Sequence, residues 1–199
     1  MAARPSPAKL PRDQREALLL DAAREEFGAQ GYAGASLGAI AARAGVSKAL
    51  VLTYFGSKDG LHAACAERAG SNLAVRIEEV ITSRVDPADM ALATLTAIFE
   101  GLDGRQQDWN VLNDRTAPSS TDAGKVARDQ RRTIAEQATR GIANLDRFAA
   151  LEKDDRDLLT SIWMSSVSAV VNWWLRHPDR TAAEMAERCG RILATLDDG

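Results

Sequence analysis

Residues 45–61 read GVSKALVLTYFGSKDGL. The run Ala49 to Leu52 lies between Ser47-Lys48 and Thr53-Tyr54-Phe55, and a second Ser-Lys pair, Ser57-Lys58, follows at once. So short a run fits a buried strand, a core helix, or a helix that keeps one face free for another molecule. The surrounding periodicity narrows the choice. Strand alternation is absent over any useful length, whereas apolar residues recur at helical spacing almost throughout. Upstream, Leu19, Ala23 and Phe27 share one face of a helix predicted from about Arg12 to Gln30, ended by Gly31 where a left-handed cap is least strained. Ser36 is placed to cap a second short helix through Arg43, with Leu37, Ile40 and Ala41 inward. Ala44-Gly45-Val46 makes a tight turn, and Ser47 caps a third helix. Ser57 opens a fourth, running to about Ser83, with Asp59 in the first turn where the helix dipole favours an anion. The strand reading fails for want of a partner strand. The core-helix reading fails less cleanly, because many small domains contain a short helix of this composition.

Two short helices joined by a glycine turn are the pattern of a helix-turn-helix, whose second helix enters the major groove of DNA. On that reading Val46, Leu50 and Val51 pack towards Ile40 and Phe27. Lys48, Thr53 and Tyr54 reach phosphates, and the small Ala49 lets the helix sit deep in the groove.

The rest of the chain also reads as helix. Asp86-Pro87-Ala88-Asp89 offers a cap, a proline at the first helical position and a first-turn acid, before Leu92, Leu95, Ile98, Phe99 and Leu102. Gly104 to Gly124 is polar and broken by Pro118, with one apolar patch around Trp109 and Leu112. A long helix follows to about Phe148, and another runs from Asp154-Asp155 to Arg176, stopped by Pro178. Thr181-Ala182-Ala183-Glu184 is a capping box opening the last. The expectation is an all-α protein of about nine helices.

Composition bounds the function. The 199 residues are 45% hydrophobic and 27% charged, ordinary values for a globular protein that buries a real core. Residues 1–60 hold eight Lys/Arg against six Asp/Glu, while the whole chain carries −3, so a basic end precedes an acidic body. The N-terminus has basic residues and prolines but no apolar core after them, so it does not read as a secretory signal. Ser161 to Leu175 is shorter than the roughly 20 residues a membrane span needs. A soluble, cytoplasmic protein with reduced Cys65 and Cys189 is expected, with no membrane partner. His62 and Cys65 share a helix face at i, i+3, but two ligands make no zinc site, and His62 reads as a surface residue near a helix start. There is no nucleophile–base pair, phosphate loop or carboxylate constellation, so no enzymatic activity, metal or cofactor is expected.

LLLDAAREEFGAQGYAGASLGAIAARAGVSKALVLTYFGSKDGL resembles the DNA-binding domain of the TetR family of bacterial transcriptional regulators. The family pattern falls on Leu19 to Phe27, Gly31-Tyr32, Ile40-Ala41-Ala44-Gly45-Val46-Ser47, Tyr54-Phe55 and Ser57-Lys58. It covers about the first third of the chain. The family usually has Gly where this chain has Ala49, an aromatic at Leu52, and polar groups at Gly38 and Ala39. The resemblance implies a ligand-responsive regulator, a repressor that binds a palindromic DNA operator as a homodimer and is released by a small-molecule effector. It divides the chain into a helix-turn-helix domain over 1–56, with a basic arm at Arg4, Lys9 and Arg12, and a helical effector-binding and dimerisation domain over 57–199. The expected DNA contacts are Ser36, Ser47, Lys48, Ala49, Leu52, Thr53, Tyr54 and Lys58. A small-molecule pocket is expected to draw on Phe99, Trp109, Ile134, Gln137, Trp163 and Val167, the alternative being plain core packing. The dimer seam is expected on Ser165, Ala169, Asn172, Met185, Cys189, Ile192 and Leu196. The departures at Gly38, Ala39 and Leu52 leave open a second reading: a helical dimeric adaptor that has lost specific DNA binding.

Overall fold

The computed structural model describes residues 10–83 and 85–197, with side chains to Thr195; Arg4 and Lys9 of the basic arm lie outside the described residues. Among these residues there are nine α-helices, one short 3-10 helix and no strand. Their packing forms two units. The first takes the chain up to Gly70 together with Gln107–Gln130, and the second takes Ser71–Gln106 with the chain from Arg131 onward.

In the first unit, α1 (Arg12–Gly34) carries a kink at Gly31, where φ is +67°. A left-handed turn at this point costs glycine little, and the sequence placed the helix end there. The helix packs Leu19, Ala23 and Phe27 against Ile40 and Ala41 of α2 (Leu37–Ala44), Val51 of α3 (Lys48–Phe55) and Leu61 of α4 (Lys58–Thr82). Ser36 Oγ accepts from the Ala39 N–H at 3.0 Å and Ser47 Oγ from the Leu50 N–H at 3.2 Å, so both short helices have the caps their sequence predicts. Gly45, at φ +67°, closes α2 and turns the chain into α3. Val51 is the fully buried anchor of α3, whereas Leu50 is half-buried.

The polar stretch around Trp109 folds as α6 (Gln107–Asn113), which packs on α1 within the same unit. The first unit is therefore larger than the helix-turn-helix itself. Asn110 Nδ2 donates to the Gly28 carbonyl at 3.2 Å, and the Tyr32 N–H donates to the Asp114 carboxylate. Asp59 of α4 accepts from the amides of Asp122 and Ala123 at 3.0 and 3.3 Å, capping the start of α7 (Asp122–Ala143).

In the second unit α5 (Met90–Leu102) packs on α9 (Ala182–Asp197), and Phe99 meets Trp174 of α8 (Lys153–Leu175) edge to face at 5.4 Å. The Thr181–Glu184 capping box is formed, with reciprocal bonds of 2.9 and 3.2 Å. Two boundaries differ from the sequence expectation. Asp86–Asp89 makes a turn instead of the first turn of α5, because Asp86 takes the Ala88 N–H on its carboxylate and the Asp89 N–H on its carbonyl. The long helix ends at Ala143, and Asp146–Phe148 forms the 3-10 turn.

Candidate nucleic-acid interface

Of the eight residues in α3 only Val51 is fully buried. A core helix of this composition would bury several, so the opening stretch is a helix with a face left free. Ser47, Lys48, Ala49, Leu52 and Thr53 are all exposed, Leu52 by 37%. Ser36 is exposed as well, at the start of α2. The Ser47 hydroxyl uses an acceptor lone pair on the helix cap and keeps its proton for an outside acceptor such as a phosphate. Thr53 Oγ1 donates to the Ala49 carbonyl at 2.9 Å, which ties its hydroxyl proton to the helix.

The two aromatic and basic candidates at the rim are positioned by α1, on either side of its kink at Gly31. Tyr54 accepts from Arg15 Nη1 at 3.2 Å, and the Arg12 guanidinium lies 5.7 Å from the centre of its ring. Its own O–H proton remains available to a phosphate. Lys58 donates to the Ala33 carbonyl at 3.4 Å and sits 4.7 Å from the Tyr32 ring centre, so its ammonium is held at the start of α4. Glu26, buried in α1, accepts from the Ser36 N–H at 3.4 Å and lies 3.8 Å from Arg43, which fixes the entry of α2. Arg43 thus has a carboxylate partner and adds little net positive charge to the face.

The α3–α4 joint is tight. A Cβ on Gly60 would come within 2.3 Å of the Phe55 carbonyl oxygen, which belongs to the backbone at the end of α3 and cannot move by a rotamer change. Gly60→Ala is expected to cost about 1–2 kcal/mol in thermal or denaturant unfolding, as overpacking does. It should also displace α3, because the backbone at its end must shift. A variant as stable as the parent would show that the joint yields freely.

His62 is fully buried, which corrects its reading as a surface residue. Phe27 and Tyr32 pack on its ring edge to face, at 4.8 and 5.3 Å, and both ring nitrogens lack a hydrogen-bond partner. Burial pushes its pKa down, while the Asp114 and Asp59 carboxylates pull the other way. Burial likewise pushes the Cys65 thiol up to about 12, an unreactive state for a cysteine.

The candidate pocket residues do not all share a unit. Trp109 is buried in α6 of the first unit, while Phe99, Ile134, Gln137, Trp163 and Val167 belong to the second. Gln137 is buried: its amide nitrogen donates to the Ala74 carbonyl and to Glu78, both at 2.8 Å, and its carbonyl oxygen Oε1 has no partner. The candidate seam residues split as well. Ser165, Ala169, Asn172 and Ile192 are exposed, Ile192 by 59%, whereas Met185 and Cys189 are 2% and 5% exposed and lie within the chain's own packing. The side chain of Leu196 is outside the described residues. Between α8 and α9 lies a cleft of about 690 Å³, lined by Ala169, Val170, Trp173, Cys189 and Ile192 among others.

The family model described as bacterial regulatory proteins, tetR family, matches residues 19–65. The HTH-type transcriptional activator FasR of Mycolicibacterium smegmatis is 34% identical over 104 residues, which is 52% of this chain and 48% of that protein. The chain spans about half the length, or less, of the curated relatives it matches. Among solved structures, a TetR-like transcriptional regulator from Rhodococcus sp. RHA1 superposes with a TM-score of 0.71 at 26% identity, covering 96% of this chain and 100% of that one. FadR from Bacillus subtilis, solved in complex with stearoyl-CoA, has the same fold with a TM-score of 0.71 at 16% identity, covering 90% of this chain and 96% of that one.

Proposed function

We propose, for a chain whose N-terminal domain belongs to the TetR family of bacterial regulatory proteins, that it is a cytoplasmic, ligand-responsive repressor that binds a palindromic operator as a homodimer. The observation that carries the reading is α3, which anchors itself by Val51 and presents Lys48, Ala49, Leu52 and Thr53 outward. One recognition helix reads too few base pairs for a genomic address, so two copies with recognition helices one turn of DNA apart are the working unit. A small molecule releases the operator. The unpartnered Gln137 Oε1, buried in the second unit near Glu78, is an acceptor suited to hold a donor group of that molecule. Since the Bacillus subtilis neighbour was solved holding stearoyl-CoA, long-chain acyl thioesters are the first compounds to titrate.

The test is selection of bound duplexes from a random pool, followed by mobility shifts at several salt concentrations. A palindrome whose binding weakens with salt supports the reading, and failure to enrich any sequence overturns it. A reporter behind the recovered operator then reads the sign of regulation: expression that rises when the regulator is deleted supports repression, and expression that falls overturns it. At the recovered operator, Lys48→Ala should weaken binding to every duplex alike and flatten the plot of log affinity against log salt by about one ion. Lys58→Ala is expected to do the same. A change in sequence preference with unchanged overall affinity would take these lysines off the phosphates.

A further inference from the structure

The outward strip of α3 is chemically unusual for a helix that reads bases. Ala49, Leu52 and Thr53 stand at i, i+3 and i+4, so they share one face. Direct readout of guanine and adenine is commonly made by Arg, Lys, Asn or Gln through paired hydrogen bonds. None of these three side chains can do that. Ala49 and Leu52 carry only alkyl groups, and the Thr53 hydroxyl proton is committed to the Ala49 carbonyl at 2.9 Å. What the strip offers is three methyl-bearing surfaces, with Leu52 37% exposed although it is a large apolar residue.

The major-groove edge of duplex DNA carries one apolar feature, the C5-methyl of thymine. Charge on the flanks, from Lys48 beside the strip and Lys58 at the start of α4, favours DNA over a protein surface as the occupant. We propose that Ala49, Leu52 and Thr53 are specificity-determining residues that read thymine methyl groups, so that each half-site is set by apolar contact more than by hydrogen bonds. The proposal rests on the DNA-binding reading above and narrows it to the chemistry of the bases contacted.

Uracil is thymine without the C5-methyl and keeps every hydrogen-bonding group. The experiment takes the full chain and the duplex recovered by selection, and replaces each thymine in turn by uracil. At the positions under α3, each missing methyl should weaken binding about fourfold, the value of one buried methyl-sized group. Replacing the symmetry-related pair should cost about the square of that. Leu52→Ala should abolish the difference between thymine and uracil at one position per half-site while keeping it at others. Leu52 lies on the surface, so this variant does not disturb the core. Uracil that binds as tightly as thymine at every position, on a duplex the protein still holds, overturns the proposal and leaves DNA binding standing. Failure of selection to recover any duplex overturns both.

Discussion

Ala169→Glu and Ile192→Arg are each expected to give monomers in sedimentation and to weaken operator binding by more than a hundredfold. The reason lies in the outer face of α8. Its buried residues, Thr160, Val167, Val171 and Trp174, follow one stripe. On the other side Leu158, Ile162 and Trp173 are 61%, 54% and 36% exposed, with Ser165, Ala169 and Asn172 between them. Positions 158, 162, 165, 169 and 172 step by four and three, the spacing of a seam between helices. The serines do not spoil it. Ser161, Ser165 and Ser166 donate to the carbonyls of Asp157, Ser161 and Ile162 at 3.0, 2.8 and 2.9 Å, which satisfies their hydroxyl protons inside the helix. Across the cleft, α9 adds Ile192. A charge placed in such a seam loses its water, a penalty of several kcal/mol that appears twice in a twofold interface. Met185 and Cys189 are not useful positions for this test, because changing residues so deeply buried disturbs the fold as well. By length and composition α8 is also apolar enough to cross a membrane, and little of its apolar stretch is buried. Sedimentation without detergent separates the two cases: a seam gives dimers, a span gives aggregates. Variants that still sediment as dimers, or monomers that hold a full palindrome at the parent affinity, would refute the seam.

The helix-turn-helix was legible in the sequence because each of its parts carries a local signal. Ser36 and Ser47 are caps within three residues of the amides they serve, and Gly31 and Gly45 sit where φ turns positive. The Thr181–Glu184 box is local in the same way. What was not legible depends on residues distant in sequence. Nothing near Trp109 says that α6 packs on α1 rather than with the later helices. The Asp86-Pro87-Ala88-Asp89 run suits a helix start and a turn equally well, and only the side-chain choice of Asp86 separates them. Ser47, Lys48, Ala49, Leu52 and Thr53 are exposed, since helical spacing around Val51 fixes which residues of α3 face outward. On α8 the periodicity is ambiguous, because apolar residues lie on both of its faces. His62 was misread for a comparable reason. Its burial is produced by Phe27 and Tyr32, some thirty residues earlier, and neighbours in sequence give no sign of it.

The first unit should lose stability in mild acid, and His62 is the group responsible. Phe27 and Tyr32 of α1 pack on its ring, and the charges acting on it are Lys58 and Asp59 from its own helix and Asp114 from the loop after α6. Burial disfavours the imidazolium and outweighs the pull of the Asp114 and Asp59 carboxylates, with Lys58 adding to the downward push. The folded pKa is therefore below the ordinary 6.5. As pH falls through 6.5 the unfolded chain takes up a proton that the folded chain refuses, so unfolding becomes easier. The ratio of folded to unfolded should fall by a factor approaching tenfold per pH unit, the limit for one proton. The loss stops growing once the folded form also protonates. Asp114 is separable from this. Burial opposes its ionisation, but hydrogen bonds from the Thr116 and Tyr32 amides prevail and hold its carboxyl below the usual carboxylate range. Its contribution is present at neutral pH and is lost only at more acidic values than the histidine window. Denaturant unfolding of the parent and of His62→Phe between about pH 7 and pH 5 makes the comparison, on either side of the free histidine value. The phenylalanine keeps an aromatic ring against Phe27 and Tyr32 and removes the titrating nitrogens. The parent should weaken across the window and the variant should stay flat. Equal slopes in both would assign the acid sensitivity elsewhere, and a parent with no slope at all would mean that His62 takes its proton in the folded chain, paired with Asp114.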